Sequence, residues 1–285
     1  MRVLVTGAGG MLGGEVARAC ERRGAEVLPL THVDLDITDG PAVDAEIAAM
    51  RPDAVVNCAA WTDVDGAEDH EAEATRTNSE AAGLVAVAAA EVGAKIVHLS
   101  SDYVFDGRKR TPYVESDHTG PLSAYGRSKL SGETSVAAVN SKHLVLRSSW
   151  LFGAGGRNFV ETMLQLSEQQ PEVLVVSDQV GCPTYTSHLA GAIAELMEGE
   201  AYGVHHVAAA GACSWFEFAQ EIFDQSGVEC RVMAATTEML ARKAPRPAYS
   251  ALESERDDAI ALSSWKVGLR DYLAERGSGR SEVAA

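Results

Sequence analysis

Short apolar runs and longer segments of helical period alternate along the first half of the chain. Val3-Leu-Val5 is a short β-forming run, Gly7-Ala-Gly9-Gly10-Met-Leu-Gly13-Gly14 follows at once, and residues 12–23 then carry a helix-forming pattern. A second run at 25–30 closes a strand–helix–strand unit of about 30 residues, whose crossover should be right-handed. Asp53-Ala-Val-Val-Asn57-Cys-Ala-Ala60 predicts a third strand ending in small residues, and 68–92 an alanine-rich helix with Asn78 and Gly83 inside, sufficient to cover a sheet. Lys95-Ile-Val-His-Leu99-Ser100-Ser101 predicts a fourth strand that delivers two hydroxyls at its carboxyl end, and Ser123-Ala-Tyr125-Gly-Arg-Ser-Lys129 opens a helix.

The second half is less regular. Residues 143–153 read as a strand leaving the sheet, 158–169 as a helix, and 173–176 as a buried strand returning to the sheet. Further helices follow at 187–197, from 214 and after the Trp265–Leu269 stretch, with a short strand at 205–207 and a frayed tail over 277–285. The alternation predicts an α/β fold: a doubly wound parallel sheet with a smaller C-terminal lobe. The sheet domain should take 1–149 plus about 170–200, and the lobe about 150–169 and 201–285. That division suits a chain of 285 residues, above the length at which one core usually stops growing.

Charge and cysteine usage narrow the partners. A formal net charge of -17 disfavours nucleic acid and anionic membranes, whose binding needs clustered Lys and Arg. Arg108-Lys-Arg110 is too short to reverse it, and Arg147, Arg157 and Arg246 are scattered as sites for an anion. No apolar run is long enough to span a bilayer, the longest being 84–90, and the glycines begin too early for a signal peptide. Five cysteines, an odd number with no C-x-x-C spacing, read as buried thiols of a reducing cytoplasm. The adjacent His205 and His206 would face opposite sides of a strand, so they are not assigned to a metal.

The glycine turn between strand and helix has the form that receives a pyrophosphate: glycines permit close approach, and the helix N-terminus presents free N–H groups with partial positive charge. Its spacing is G-x-x-G-x-x-G over Gly7, Gly10 and Gly13, with Leu12 where the commoner dinucleotide fingerprint wants a glycine. Asp34 or Asp36, past the second strand, could hold a ribose. No Lys or Arg lies between Arg23 and Arg51, so NADH and NADPH both stay open.

Tyr125 and Lys129 stand at i and i+4 on one helical face. A phenol titrates near ~10, and a neighbouring ammonium should bring it toward neutral-pH acid–base chemistry. Such a tyrosine can hand a proton to a carbonyl oxygen, with a serine from the fourth strand hydrogen-bonded to the same oxygen.

Together, Gly7 to Gly13, Ser100-Ser-Asp-Tyr-Val-Phe-Asp-Gly107 and Tyr125 to Lys129 resemble the extended short-chain dehydrogenase/reductases. Leu35-Asp36-Ile37-Thr38-Asp39, Asn57-Cys58-Ala59-Ala60, Arg147-Ser-Ser-Trp150 and Arg246-Pro-Ala-Tyr249-Ser-Ala-Leu252 narrow the resemblance, over residues 1–274, to the dTDP-4-dehydrorhamnose reductase family. It implies a Rossmann domain, NADPH or NADH as cofactor, and reduction of the C4 ketone of a dTDP-sugar by Tyr125, Lys129 and Ser101. The implied cofactor contacts are Gly7, Gly10, Met11, Leu12 and Gly13, Asp36 and Ile37, and Ala59, Ala60, Trp61 and Thr62, with Tyr125 and Lys129. The implied substrate contacts are Ser101, Asp102, Tyr103, Trp150 and Arg246. Some family members bind a divalent ion through interface glutamates; Glu15 matches one such position, which leaves Mg2+ and a homodimer open without a ligand set. Three alternatives stand beside this reading. An epimerase or dehydratase shares the module, although Asp102 lacks the following glutamate a dehydratase uses. Another 4-ketosugar reductase, and a non-catalytic relative of the methionine adenosyltransferase regulatory subunit, are the others.

Overall fold

The computed structural model of the chain describes residues 1–283. The sheet domain runs β1 Arg2–Thr6, α1 Met11–Arg22, β2 Glu26–Leu30, α2 Gly40–Met50 and β3 Ala54–Asn57. It continues with α3 Glu71–Thr75, which passes through a π-helical stretch Arg76–Ala81 into α4 Ala82–Glu91, then β4 Lys95–Ser101, α5 Ala124–Val139 and β5 His143–Ser148. Beyond it come β6 Leu151–Phe152, α6 Phe159–Ser167, β7 Glu172–Val176, β8 Val180–Gly181, β9 Thr184–Tyr185 and α7 Thr186–Glu198. The rest is β10 Gly203–His206, β11 Cys213–Ser214, α8 Trp215–Ser226, β12 Arg231–Ala235, α9 Thr237–Leu240 and α10 Trp265–Val283.

Six parallel strands in the order β10-β5-β4-β3-β1-β2 form the central sheet. Side chains alternate across it, as the strand period demands. Val3, Val5, Val56, Val97 and Leu146 pack on one face against Val16 of α1 and Leu189 and Ile193 of α7. Leu4, Val55 and Ile96 pack on the other against Ile47 of α2, Val85 of α4 and Val136 of α5. Burying each such side chain contributes roughly 1.5–3 kcal/mol, so both faces must be covered, and they are. A separate core of Phe152, Met163, Val175, Phe218, Ile222, Leu269 and Tyr272 builds the lobe.

Three expectations for the second half are corrected. β7 does not return to the central sheet: it pairs in parallel with β12 as a two-stranded sheet of the lobe, burying Val173 and Val175 while leaving Leu174 half exposed. The strand containing His205 and His206 is the sixth strand of the central sheet, paired with β5. The expected tail from 277 is still helical through Val283, and residues 284 and 285 lie outside the described residues. Among the described residues no helix is long and apolar enough to cross a membrane.

Because the strands are parallel, their carboxyl ends share one edge. The chain leaves β1 toward β2 on one side, and β3 carries it back to the other, so the crevice between β1 and β3 is the switch point where such sheets receive a ligand.

Candidate active site

Two glycines shape that crevice. Gly7 has φ +67°, and a Cβ there would lie 2.6 Å from the backbone nitrogen of Ala59. A Cβ on Gly13 would lie 2.3 Å from the carbonyl oxygen of Gly7. The turn after β1 is therefore pressed against α1 and the end of β3 more closely than any side chain allows. At the N-terminus of α1 the cap is Gly10, with no side chain bonded to the helix and no acid in the first turn. The first N–H groups, on Met11 and Leu12, have no acceptor within the helix. Close backbone, free donors and a helix N-terminus fit the pyrophosphate of a dinucleotide. Ala59, Ala60 and Trp61 form the facing wall at partial exposure, with Thr62 exposed beyond them. Asp36 is exposed, accepting the Thr38 N–H at 2.9 Å, a bond that holds its carboxyl below the usual range. Ile37, in contrast, is 4% exposed and packed in the core, so only its backbone is offered to a ligand. Arg76 reaches this end from the π-helical stretch, its Nη2 3.4 Å from Thr38 Oγ1.

α5 begins with the Ser123 hydroxyl accepting the Gly126 N–H at 3.1 Å, while the Ala124 N–H donates to Glu68 at 2.8 Å. This start sets Tyr125 in the first turn and Lys129 one turn below it. The Tyr125 phenol lies beside the Ser101 hydroxyl, and its ring meets Tyr103 edge-on at 5.6 Å. Lys129 is buried, and its Nζ donates to the Leu99 carbonyl at 2.5 Å. Here an expectation is corrected. Burial pushes the phenol up to about 12, opposed by the Ser101 hydroxyl, and Lys129 does not bring it down. Burial instead brings the Lys129 amine down to about 8, with Glu133 opposing. Tyr125 is thus held protonated through the neutral range, the state a proton donor needs.

The two serines of β4 separate by strand alternation. Ser100 donates to Glu133 at 2.5 Å, and Glu133 in turn accepts Arg147 through two bonds of 2.9 and 2.7 Å, all buried. Arg147 is therefore a structural partner. Ser101 faces Tyr125.

Asp102 lies behind Ser101, 2% exposed, and accepts the hydroxyls of Ser101 at 3.0 Å, Ser149 at 3.3 Å and Ser250 at 2.5 Å. Burial outweighs these bonds and pushes its carboxyl up to about 6. A cleft of about 400 Å3 opens past Tyr103 toward the lobe, walled by Phe159, Met163, Val175 and Trp215, with Gln179, Arg242 and Arg246 at its polar end. Arg246 donates to both oxygens of Asp65 at 3.0 and 2.9 Å, holding that carboxyl down at about 2. Trp150 is not among the residues lining this cleft. Its indole stacks on Trp215 at 3.5 Å, with Gly181 on its other side, and its backbone takes φ 49°.

Comparison with known proteins agrees with this geometry. Residues 1–277 match the family model described as RmlD substrate binding domain. A dTDP-4-dehydrorhamnose reductase of Streptomyces griseus is 44% identical over 280 residues, covering 95% of this chain and 92% of that protein. The chain belongs to the dTDP-4-dehydrorhamnose reductase family. A crystal structure of a member from Clostridium acetobutylicum superposes with a TM-score of 0.95 at 41% identity, covering 97% of this chain and all of that one. The structure of the Bacillus anthracis member in complex with NADP superposes at 0.94 with 38% identity, covering 96% and 99% of the two chains.

Within the family fold, several residues that hold the site were not legible as such. Asn78, on the π-helical stretch, accepts the Trp61 N–H at 2.8 Å, donates to the Trp61 carbonyl at 3.1 Å and donates to Ser128 at 2.9 Å, so it pins the β3 loop to α5. A polar residue amid alanines was its only signal. Ser149 and Ser250 were visible only as members of the Arg147–Trp150 and Arg246–Leu252 stretches, and Asp65 carried no signal.

Proposed function

We propose that this chain catalyses the NADPH- or NADH-dependent reduction of the C4 ketone of dTDP-4-dehydrorhamnose to dTDP-L-rhamnose. One observation carries the proposal: Tyr125, Ser101 and Lys129 converge at the carboxyl end of β4, beside a glycine crevice fitted to a dinucleotide. The backbone of Gly7 to Gly13 and the loop 59–62 would hold the cofactor, whose reduced nicotinamide supplies the hydride. As the ketone is reduced its oxygen gains negative charge. The Tyr125 O–H gives that oxygen a proton, and the Ser101 hydroxyl steadies it by a hydrogen bond. The high phenol pKa keeps the donor loaded until that charge develops. Lys129, buried one turn below Tyr125 and carrying its charge below about pH 8, would hold the nicotinamide ribose. The cleft past Tyr103, with Arg242 and Arg246 at one end, suits the nucleotide diphosphate.

The test is Tyr125→Phe. Turnover with dTDP-4-dehydrorhamnose should fall by about 10²–10⁴ while NADPH still binds. Near-normal turnover would end the proposal.

A further inference from the structure

The cleft past Tyr103 poses an electrostatic problem. A nucleotide diphosphate bears negative charge on each phosphate, and the chain that receives it has a formal net charge of -17. Among the described residues lining the cleft none is acidic, and Arg242 and Arg246 are its cations. Arg246 is largely committed. Both of its Nη atoms donate to Asp65, and Nη1 donates also to the Ala244 carbonyl at 2.9 Å. With a carboxylate 2.9 Å away balancing its charge, it adds little net attraction for an approaching anion.

Arg242 is placed differently. Its Nη1 lies 3.5 Å from Asp65 Oδ2 in a loose ion pair, and its side chain is 62% exposed. Asp65 already accepts from both Nη atoms of Arg246 and from the Ala244 N–H, so Arg242 meets a carboxylate whose charge is shared. At this mouth Arg242, Lys243 and Arg246 are paired with only Asp65 and Asp69, which leaves one positive charge over. Lys243 is matched by Asp69 and Arg246 by Asp65, so the unbalanced charge falls to Arg242.

The backbone around Arg242 is fixed even though the side chain is not. Upstream, the Thr237 N–H and hydroxyl donate to Asp178 at 2.9 and 2.7 Å, and Gln179 donates to the Thr237 hydroxyl at 2.9 Å. α9 then stops at Ala241, whose φ of 40° is left-handed, a conformation uncommon outside glycine. Leu240 and Arg242, on either side of that turn, both line the cleft. Downstream, the Lys243–Asp69 pair and the Ala244 N–H, 3.0 Å from Asp65, tie the segment to the loop after β3. A side chain with donors to spare on an anchored backbone gives up little beyond its own rotamer freedom when it closes on an anion.

We propose that Arg242 is a substrate-binding residue: it exchanges its loose pairing with Asp65 for the diphosphate of the nucleotide sugar, and supplies the net positive charge that the Asp65-bound Arg246 lacks. This rests on the nucleotide-sugar reading above and assigns the charge recognition within it.

Calorimetric titration of dTDP into the full chain tests the role without requiring turnover. Arg242→Gln should weaken dTDP about tenfold and raise KM for dTDP-4-dehydrorhamnose by a similar factor. Its kcat and its NADPH affinity should stay within about twofold of the parent. Arg242→Lys keeps the charge and should return dTDP affinity to within about threefold of the parent. Raising NaCl from about 0.05 to about 0.3 M should weaken dTDP more steeply in the parent than in Arg242→Gln, because an exposed charge is screened. A parental dTDP affinity in Arg242→Gln would overturn the proposal. So would an equal loss in Arg242→Lys, or an equal loss of NADPH affinity, either of which marks a segment that has lost its shape and not a charge. Should dTDP binding follow the expected pattern while the unmodified chain fails to reduce the ketone, the reductase activity falls and the role of Arg242 stands.

Discussion

Neutralising Asp102 should make the chain more stable. Burial raises this carboxyl from an ordinary 3.8 to about 6, a shift of about two units, or about 3 kcal/mol against the ionised form. A raised carboxyl binds its proton more tightly in the native state than in the unfolded one. Stability from this group is therefore greatest below about pH 4, falls as pH rises toward about 6, and is flat above that. Asparagine carries no charge to bury, so at pH 7.5 it relieves up to about 3 kcal/mol, less about 1 kcal/mol for an amide N–H that gains no good acceptor. At pH 4.5 the parent still holds much of its proton, and the advantage of the asparagine chain shrinks by about 2 kcal/mol. Urea unfolding of both chains at pH 4.5 and 7.5 measures this directly. The physical account fails if Asp102→Asn is the less stable chain at pH 7.5, or if the difference between the two chains is the same at both values.

Other substitutions probe the remaining parts of the site. Gly13→Ala would place a Cβ 2.3 Å from the Gly7 carbonyl oxygen, so NADPH affinity should fall more than about tenfold in a fluorescence titration. Gly10→Ala, whose nearest contact would be 3.4 Å, should keep a melting temperature within about 3 °C of the parent. Arg147→Met leaves the buried Glu133 carboxylate with only the Ser100 hydroxyl. It should cost about 3–5 kcal/mol in urea unfolding, part of which Glu133→Gln in the same chain should restore. The Lys129 amine titrates near 8, so kcat/KM should decline above about pH 8, and Lys129→Arg should move that decline beyond about pH 9.5.

What the sequence made legible was local. The strand–glycine–helix opening, the apolar runs of β3 and β4 and the Tyr125–Lys129 spacing each depend on neighbours within one or two turns, and each stands where it was expected. β7 was misplaced because a run such as Val173-Leu-Val-Val reads the same whether its partner is the central sheet or a lobe strand. Its actual partner, β12, lies more than fifty residues further on. His205 and His206 were recognisable as a strand, but β5 as their neighbour is equally non-local.

The site divides along the same line, and more sharply for chemistry than for fold. Residue types at the right spacing were enough to bring Tyr125, Lys129 and Ser101 forward. The direction in which their protons are held was not, because it depends on burial, which no spacing encodes: the phenol expected to descend beside an ammonium rises, and the amine descends. Arg246 makes the same point from the other side. Its guanidinium suits a diphosphate, yet Asp65, 181 residues away in sequence, already occupies two of its donors, so its pull on an anion is set by a partner that no local motif contains. A buried charge is specified by everything that surrounds it, and in this chain the groups surrounding Asp102 and Arg246 come from the sheet and the lobe together. That shared enclosure is why exchanging a single carboxylate, with its volume almost unchanged, should register in the stability of the whole chain.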